Sequence, residues 1–176
     1  MKRLYLIRHA KSSWKNGDLS DFERGLNRRG EKDLKTITSY ISLKDIKVDL
    51  ILSSSALRAQ ITADEIAKKI EYNSKIHYMK ELYMVRPEKL MDIIKLQDEQ
   101  HETIFMVGHN PELTEVANIL LKDDFIKMPT LAILAIDLDI ENWNDIKENS
   151  GKLDFYIYPK QFQYYMPKQI RAVLDS

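Results

Sequence analysis

Four residues of this sequence have the side chains needed to bind and transfer an anionic group. Arg8 and His9 come directly after one apolar run, His109 comes directly after another, and Arg58 lies shortly after a third. Arginine offers planar, bidentate donors that match phosphate oxygens, and a neutral imidazole can act as a nucleophile. Because these cationic groups would repel one another without an anion between them, the set predicts a binding site for a tetrahedral dianion.

The elements that must position these residues are visible as periodic patterns. Short apolar runs typical of buried strands occupy residues 3–7, 48–54, 75–79, 103–108, 131–138 and 153–158. Helical spacing lies between them, and the predicted helix starts carry the cap residues Asn27, Ser54 or Ser55, and Asn110, and the prolines Pro87 and Pro111. The alternation predicts an α/β fold: a single three-layer α/β/α domain, residues 1–176, with a mostly parallel sheet of about five or six strands flanked by helices.

The predicted fold also says where the four residues should meet. In open α/β sheets, ligands bind beyond the carboxyl ends of the strands. Arg8, His9 and His109 follow strands directly, and Arg58 lies in the first turn of the helix after the second strand. Taken singly, an arginine is more typical of a surface ion pair and a histidine of a structural hydrogen bond. Their common placement favours one shared anion site, to which the nearby helix N-termini add positive dipole.

The composition excludes several classes of site and partner. The 27 Lys and Arg residues balance the 27 Asp and Glu residues, so no net charge attracts nucleic acid or an anionic membrane. The absence of cysteine excludes thiolate nucleophiles and cysteine zinc sites, and no HxH or HExxH spacing occurs, so no metal or other cofactor is predicted. No apolar run has the length of a signal peptide core or a membrane span, which favours the cytoplasm.

Three motifs carry a resemblance to one family. LIRHAKSSW (6–14), SSSALRAQITA (53–63) and MVGHNPEL (106–113) resemble, in order, the first-histidine, second-arginine and second-histidine motifs of the histidine phosphatase superfamily. The resemblance implies a phosphoglycerate mutase-like fold. The form RHAKSSW, followed by DFERGLNRRG (21–30), is most similar to the SixA-type phosphohistidine phosphatase branch.

The resemblance covers roughly residues 3–120, and the remainder is matched only by its strand pattern. Two positions depart from it. Ile61 stands where many members have glutamine, and Gly25 stands where close relatives often have proline before LN. Neither position bears the reacting charge, so the departures affect only peripheral contacts.

What the resemblance implies for the mechanism agrees with the chemistry of the residues. Neutral His9 would attack phosphorus in line, and water would then hydrolyse the phosphohistidine. Arg8, Arg58 and a protonated His109 would hold the equatorial oxygens without a metal ion. Since one histidine must be neutral and the other is more useful charged, we expect their surroundings to push the two pKa values apart.

The remaining predicted site residues lie around these four. Glu81 is the predicted general acid, because it occupies the place where the superfamily commonly puts its proton donor, and an exposed loop carboxylate is the alternative. Asp21 and Glu23, in the loop after the nucleophile, are the rival donors. Arg24, in the same loop, contacts the substrate or pairs with these carboxylates. Asn110 is the last predicted substrate contact.

The length of the chain bears on the substrate. Little sequence is left over for a large lid, which predicts an open site. An open site suits a phosphorylated side chain on a partner protein, and the SixA-type resemblance implies phosphohistidine. The alternatives are a small-molecule phosphomonoesterase of the same superfamily and a phosphate-binding module without turnover. The presence of both histidines and both arginines argues against the binding module.

Overall fold

The structure is a computed structural model that describes residues 1–15, 17–122 and 126–165. The strands are β1 Lys2–Arg8, β2 Leu50–Ser54, β3 His77–Met79, β4 Thr103–Gly108, β5 Ile133–Leu138 and β6 Gly151–Ile157. The α-helices are α1 Arg28–Ser42, α2 Leu57–Lys69, α3 Pro87–Lys95, α4 Glu112–Leu120 and α5 Pro159–Tyr165. Short 3₁₀ helices occupy Asp21–Glu23, Lys80–Leu82 and Trp143–Asp145. Residues 166–176, most of a C-terminal stretch in which no element was predicted, lie outside the described residues.

The strands form one sheet in the order β3-β2-β4-β1-β5-β6, which confirms the predicted α/β fold. The pairs β1–β4, β2–β4 and β2–β3 are parallel, whereas β5 is antiparallel to both β1 and β6. The reversal at β5 follows from where the preceding chain is anchored. The chain before β5 returns to the end of the sheet where β1 stops, and the Leu131 amide donates to the His9 carbonyl there at 3.1 Å.

Helices cover both faces of the sheet, as a three-layer fold requires. Leu4 and Leu6 of β1 face one core, shared with α3 and α4, and Tyr5 and Ile7 face the other, shared with α1 and α2. All four side chains are fully buried. A strand buried on both faces needs a continuous apolar run, which is the pattern that predicted it. None of the helices described above combines the length and hydropathy of a membrane-spanning segment.

The chain immediately after the first strand is held against the start of α1. Asn27 caps this helix as predicted: its Oδ1 accepts from the Gly30 amide at 2.8 Å, and its Nδ2 donates to the Ser12 carbonyl at 3.1 Å. A Cβ atom at Gly30 would lie 2.1 Å from the Lys11 carbonyl oxygen, so only glycine permits this approach. These contacts fix the segment that follows His9.

The other two predicted side-chain caps are wrong. The cap position of α2 is Ala56, which makes no capping hydrogen bond. Ser54 Oγ instead accepts from the Ala56 amide at 3.2 Å and lies 2.8 Å from His109 Nε2. The cap position of α4 is Pro111, so Asn110 precedes the helix without capping it. The polar side chains before these two helices therefore serve tertiary contacts.

Candidate active site

Arg58 lies between the two histidines and links the ends of three strands. Its Nε donates to His9 Nε2 at 3.3 Å, and its Nη2 lies 3.3 Å from His109 Nδ1. The centroids of the two imidazole rings are 5.1 Å apart. The three residues are only 5%, 8% and 7% exposed. The structure thus brings together in one buried cluster residues that are far apart in sequence.

The ring of His9 is oriented by its own loop. Its Nδ1 lies 2.7 Å from the Ala10 carbonyl oxygen, which can only accept, so Nδ1 carries the proton and Nε2 bears the lone pair. Burial, together with the charges of Arg58 and Arg8, lowers the pKa of His9 to about 4. At neutral pH, His9 is therefore an uncharged imidazole with its lone pair on the side of Arg58.

The proton of His109 lies on the opposite ring nitrogen from that of His9. Its Nδ1 accepts from Arg58, because a guanidinium can only donate, so Nε2 carries the proton and donates to Ser54 Oγ. Burial, the neighbouring His9 and the charge of Arg58 together lower the pKa of His109 to about 3. The expected separation of the two pKa values is therefore wrong for the free site, since burial and cationic neighbours lower both.

Arg8 forms no ion pair with a carboxylate in the described part of the chain. Its Nη1 donates to the Met128 carbonyl at 2.8 Å, and its buried Nε has no hydrogen-bond partner. Burial lowers its pKa, although an arginine stays protonated at neutral pH. Its charge is among the causes of the lowered pKa values of His9 and His109. Within the described ranges, no group of three or more histidine or acidic side chains is placed to hold a metal ion.

Arg24 forms the ion pair that was the alternative to a substrate contact. Its Nη2 and Nε donate to Asp21 Oδ1 at 2.6 and 3.1 Å, and its guanidinium stacks on Trp14 at 3.3 Å from the ring centroid. Asp21 Oδ2 accepts from Arg58 at 2.8 Å. Burial alone would raise the pKa of Asp21, but hydrogen bonds from Tyr83 and the arginines lower it to about 2.

Three other predicted residues are not brought into this cluster. Glu81 is exposed on the short helix before α3, and in the described part of the chain its carboxylate forms no hydrogen bond or ion pair. Glu23 is also exposed, and it accepts from the amide and hydroxyl of Ser20 at 3.1 and 2.6 Å. Asn110 is adjacent to His109, but its Nδ2 donates to the Met128 carbonyl at 2.8 Å. The Asn110 side chain therefore binds the same carbonyl, that of Met128, to which Arg8 donates.

Two side chains of the cluster were not predicted. Ser54 orients His109, and its position at the carboxyl end of β2 was a usable signal, because the other site residues follow strand ends too. Tyr83 donates to Asp21 Oδ2 at 2.7 Å, and its ring packs edge-on against His109 with centroids 5.3 Å apart. No pattern in the sequence marked Tyr83, since it follows a short 3₁₀ helix and belongs to no periodic element.

The segment that carries Arg58 is tied directly to the loop after β1. Thr62 Oγ1 donates to the Arg58 carbonyl at 2.7 Å and accepts from the Ala10 amide at 3.0 Å. The two positions that depart from the family pattern lie side by side: a Cβ atom at Gly25 would lie 3.9 Å from Ile61 Cδ1. Both are apolar neighbours outside the charged cluster, so the departures leave its geometry intact.

A pocket of about 480 Å³ adjoins the cluster at the same end of the sheet. It lies between the segment after β4 and the segment before β5, and its lining residues are Asn110, Pro111, Thr114, Lys127, Met128 and Pro129. Met128 and Asn110 connect this pocket to Arg8 and His109. The described surroundings of the cluster therefore include open space at the carboxyl ends of the strands, where an α/β sheet binds its ligands.

Comparison with known proteins places this geometry in a family. The sequence model of the histidine phosphatase superfamily (branch 1) matches residues 4–103. A structure described as a SixA phosphohistidine phosphatase from Agrobacterium tumefaciens is 27% identical, with a TM-score of 0.78 over 90% of this chain and 98% of that chain.

Two other solved structures share the fold at lower identity. The protein histidine phosphatase SixA bound to tungstate is 18% identical, with a TM-score of 0.78 over 91% of this chain and 99% of that chain. An Escherichia coli protein described as an α-ribazole-5′-phosphate phosphatase is 16% identical, with a TM-score of 0.67 over 90% and 98%. The shared fold therefore serves proteins named for both protein and small-molecule substrates.

Proposed function

This chain belongs to the histidine phosphatase superfamily and is a phosphatase, and we propose that it hydrolyses phosphohistidine in another protein through a phosphohistidine intermediate on His9. The observation that carries the proposal concerns two consecutive residues, Arg8 and His9. His9 presents a neutral lone pair on Nε2, and Arg8 has a buried, unpartnered Nε. A phosphoryl dianion between them would satisfy Arg8 and bring phosphorus within reach of His9.

The proposed reaction has two steps. First, the substrate imidazole takes a proton from solvent on its free nitrogen, and His9 Nε2 attacks phosphorus as the bond from phosphorus to that imidazole breaks, so the imidazole leaves neutral with the electron pair. Arg58 transfers its Nε hydrogen bond from His9 to a phosphoryl oxygen, and Arg8 holds a second oxygen. Water then attacks the phosphorus on His9, and inorganic phosphate leaves the regenerated neutral imidazole.

The state of Asp21 supports phosphohistidine as the substrate. It is the carboxylate that contacts Arg58, and its pKa of about 2 keeps it ionised at neutral pH. An alkyl phosphate needs a protein group that donates a proton to its leaving oxygen, whereas a phosphorylated imidazole can leave already protonated by solvent on its other ring nitrogen. The balanced charge of the chain likewise favours a phosphorylated protein over nucleic acid or a membrane, and the proposed compartment is the cytoplasm.

A rate comparison tests this choice of substrate. We expect kcat/KM for a histidine-phosphorylated protein to exceed that for alkyl phosphates by at least about 100-fold, the usual effect of general acid catalysis. The aryl ester p-nitrophenyl phosphate should fall between them, because its phenolate leaves without a full proton. Glu81→Gln should keep near wild-type rates on phosphohistidine and on the aryl ester, and EDTA should slow none of the reactions.

Other outcomes of the same rate comparison would support a different function or a metal-dependent reaction. Alkyl phosphates as the fastest substrates, slowed about 100-fold by Glu81→Gln, would identify a small-molecule phosphomonoesterase with Glu81 as its acid. Tungstate binding without turnover of any substrate would identify a phosphate-binding module. Loss of activity in EDTA that a divalent ion restores would contradict a metal-free reaction.

A proton should enter the site with the anion. His109 is neutral in the free site because its pKa is lowered to about 3, and a bound dianion would favour its protonated form. The complex then holds more protons than the free protein, so affinity for tungstate should rise as pH falls from about 8 to about 6. Calorimetry at pH 7 in buffers of different ionisation enthalpy should show uptake of up to about one proton per site.

The variant His109→Gln provides the control for this measurement. It keeps a polar side chain beside Ser54 and Arg58 but cannot titrate, so tungstate binding should lose both its proton uptake and its pH dependence over that range. Proton uptake that persists in His109→Gln would assign the proton to His9 and contradict the proposed role of His109.

A further inference from the structure

Asp21 binds one edge of the Arg58 guanidinium, and the other edge faces His9 and His109. Its Nε and one Nη2 hydrogen face His9 and His109, both at 3.3 Å. Its Nη1 donates to the Asp21 carbonyl at 2.5 Å, and its Nη2 donates to Asp21 Oδ2 at 2.8 Å. Because a guanidinium is planar and its donors have a fixed geometry, holding the outer edge sets the direction of the inner edge.

The same carboxylate also joins Arg58 to a second buried arginine. Asp21 Oδ1 accepts from Arg24 at 2.6 and 3.1 Å, while Oδ2 accepts from Arg58. Arg24 and Arg58 are 7% and 5% exposed, so two poorly hydrated positive charges lie on either side of one negative charge. Without that charge the two guanidinium groups would repel each other and separate.

Tyr83 holds Asp21 in turn. Its hydroxyl donates to Asp21 Oδ2 at 2.7 Å, and its ring packs edge-on against Phe22 and His109 with centroids 5.0 and 5.3 Å apart. These ring contacts fix the hydroxyl relative to the second histidine. The low pKa of Asp21 means that it accepts from Tyr83 and both arginines as an anion, which excludes it as a proton donor at neutral pH.

We infer that Asp21, locked by Tyr83, is a positioning residue that aims Arg58 at the phosphoryl group. The inference rests on the proposed role of Arg58 as a phosphoryl ligand. Asp21 acts through Arg58 and does not touch the substrate. The effect of substituting Asp21 on turnover should therefore depend on the presence of the planar Arg58 guanidinium.

A double-mutant cycle on p-nitrophenyl phosphate tests this dependence. Asp21→Asn keeps the size of the side chain but removes its charge, and it should lower kcat by about ten-fold or more with KM changed by less than about three-fold. In an Arg58→Lys background, which lacks the guanidinium that Asp21 would orient, Asp21→Asn should lower kcat by less than about a further two-fold. The same cycle should be non-additive for affinity toward vanadate, a mimic of the transition state.

A milder variant covers the case in which Asp21→Asn fails to fold. Tyr83→Phe keeps the ring contacts and removes only the hydroxyl, and it should lower kcat by about three-fold or more in the wild-type background and have little effect beside Arg58→Lys. Tyr78→Phe is the matched control, because the Tyr78 hydroxyl donates to Asp64 on the exposed side of α2, outside the charged cluster. It should leave kcat unchanged.

The outcomes separate this inference from the proposed function. Full activity in both Asp21→Asn and Tyr83→Phe, or losses that simply multiply with that of Arg58→Lys, would overturn the positioning role. A non-additive cycle together with no hydrolysis of phosphohistidine would leave the positioning role intact and overturn the proposed substrate. If p-nitrophenyl phosphate is not turned over, the vanadate affinities decide the positioning role.

Discussion

His9→Ala should reduce turnover by at least about 10⁴-fold on every substrate, because no other group can take over the attack on phosphorus. The imidazole is oriented by the Ala10 carbonyl, and its lone pair lies next to Arg58. The phosphoenzyme provides a direct readout. Wild-type protein mixed with labelled substrate and quenched should carry acid-labile phosphate on His9.

The control for this variant is another histidine of the same chain. His77 is exposed on the edge strand β3, and His77→Ala should keep wild-type turnover. Thermal unfolding and tungstate affinity of His9→Ala should show that the arginines and the fold persist. Label on a residue other than His9, or turnover in His9→Ala within about ten-fold of wild type, would contradict the assignment of His9 as the nucleophile.

Arg58→Ala should be the second most damaging change, with a loss in kcat/KM on the order of 10²–10³-fold, the usual cost of removing one donor to the transition state. Arg58→Lys should still lose at least about ten-fold, or about 1.4 kcal/mol of transition-state stabilisation. A single ammonium cannot reach His9, His109 and Asp21 at once, as the guanidinium does.

An exposed arginine provides the comparison for Arg58→Lys. Arg29 lies at the start of α1 with its side chain 58% exposed, and its Nε is 3.5 Å from Asp33. Arg29→Lys should leave kcat/KM unchanged, since an exposed ion pair contributes little. If Arg58→Lys behaved the same way, Arg58 would serve only to neutralise Asp21.

The local patterns of the sequence were enough to predict the architecture and the two arginines and two histidines that the structure brings together. Continuous apolar runs indicated strands buried on both faces, and helical spacing indicated the helices between them. Arg8 ends β1, His9 and His109 follow strand ends directly, and Arg58 lies in the first turn of α2, so the topology alone brings them to one edge of the sheet. Each of these signals is local, which is why no tertiary contact was needed to find it.

The partners of these residues depend on packing between distant segments, which no local pattern encodes. Asp21 accepts a hydrogen bond from Tyr83 across 62 positions, and no local pattern in the short 3₁₀ helix marks Glu81, two residues from Tyr83, as exposed. The lowered pKa of His109 likewise follows from burial among cations, which is a property of the assembled site. The antiparallel direction of β5 also depends on where the preceding chain is anchored, at the carbonyl of His9.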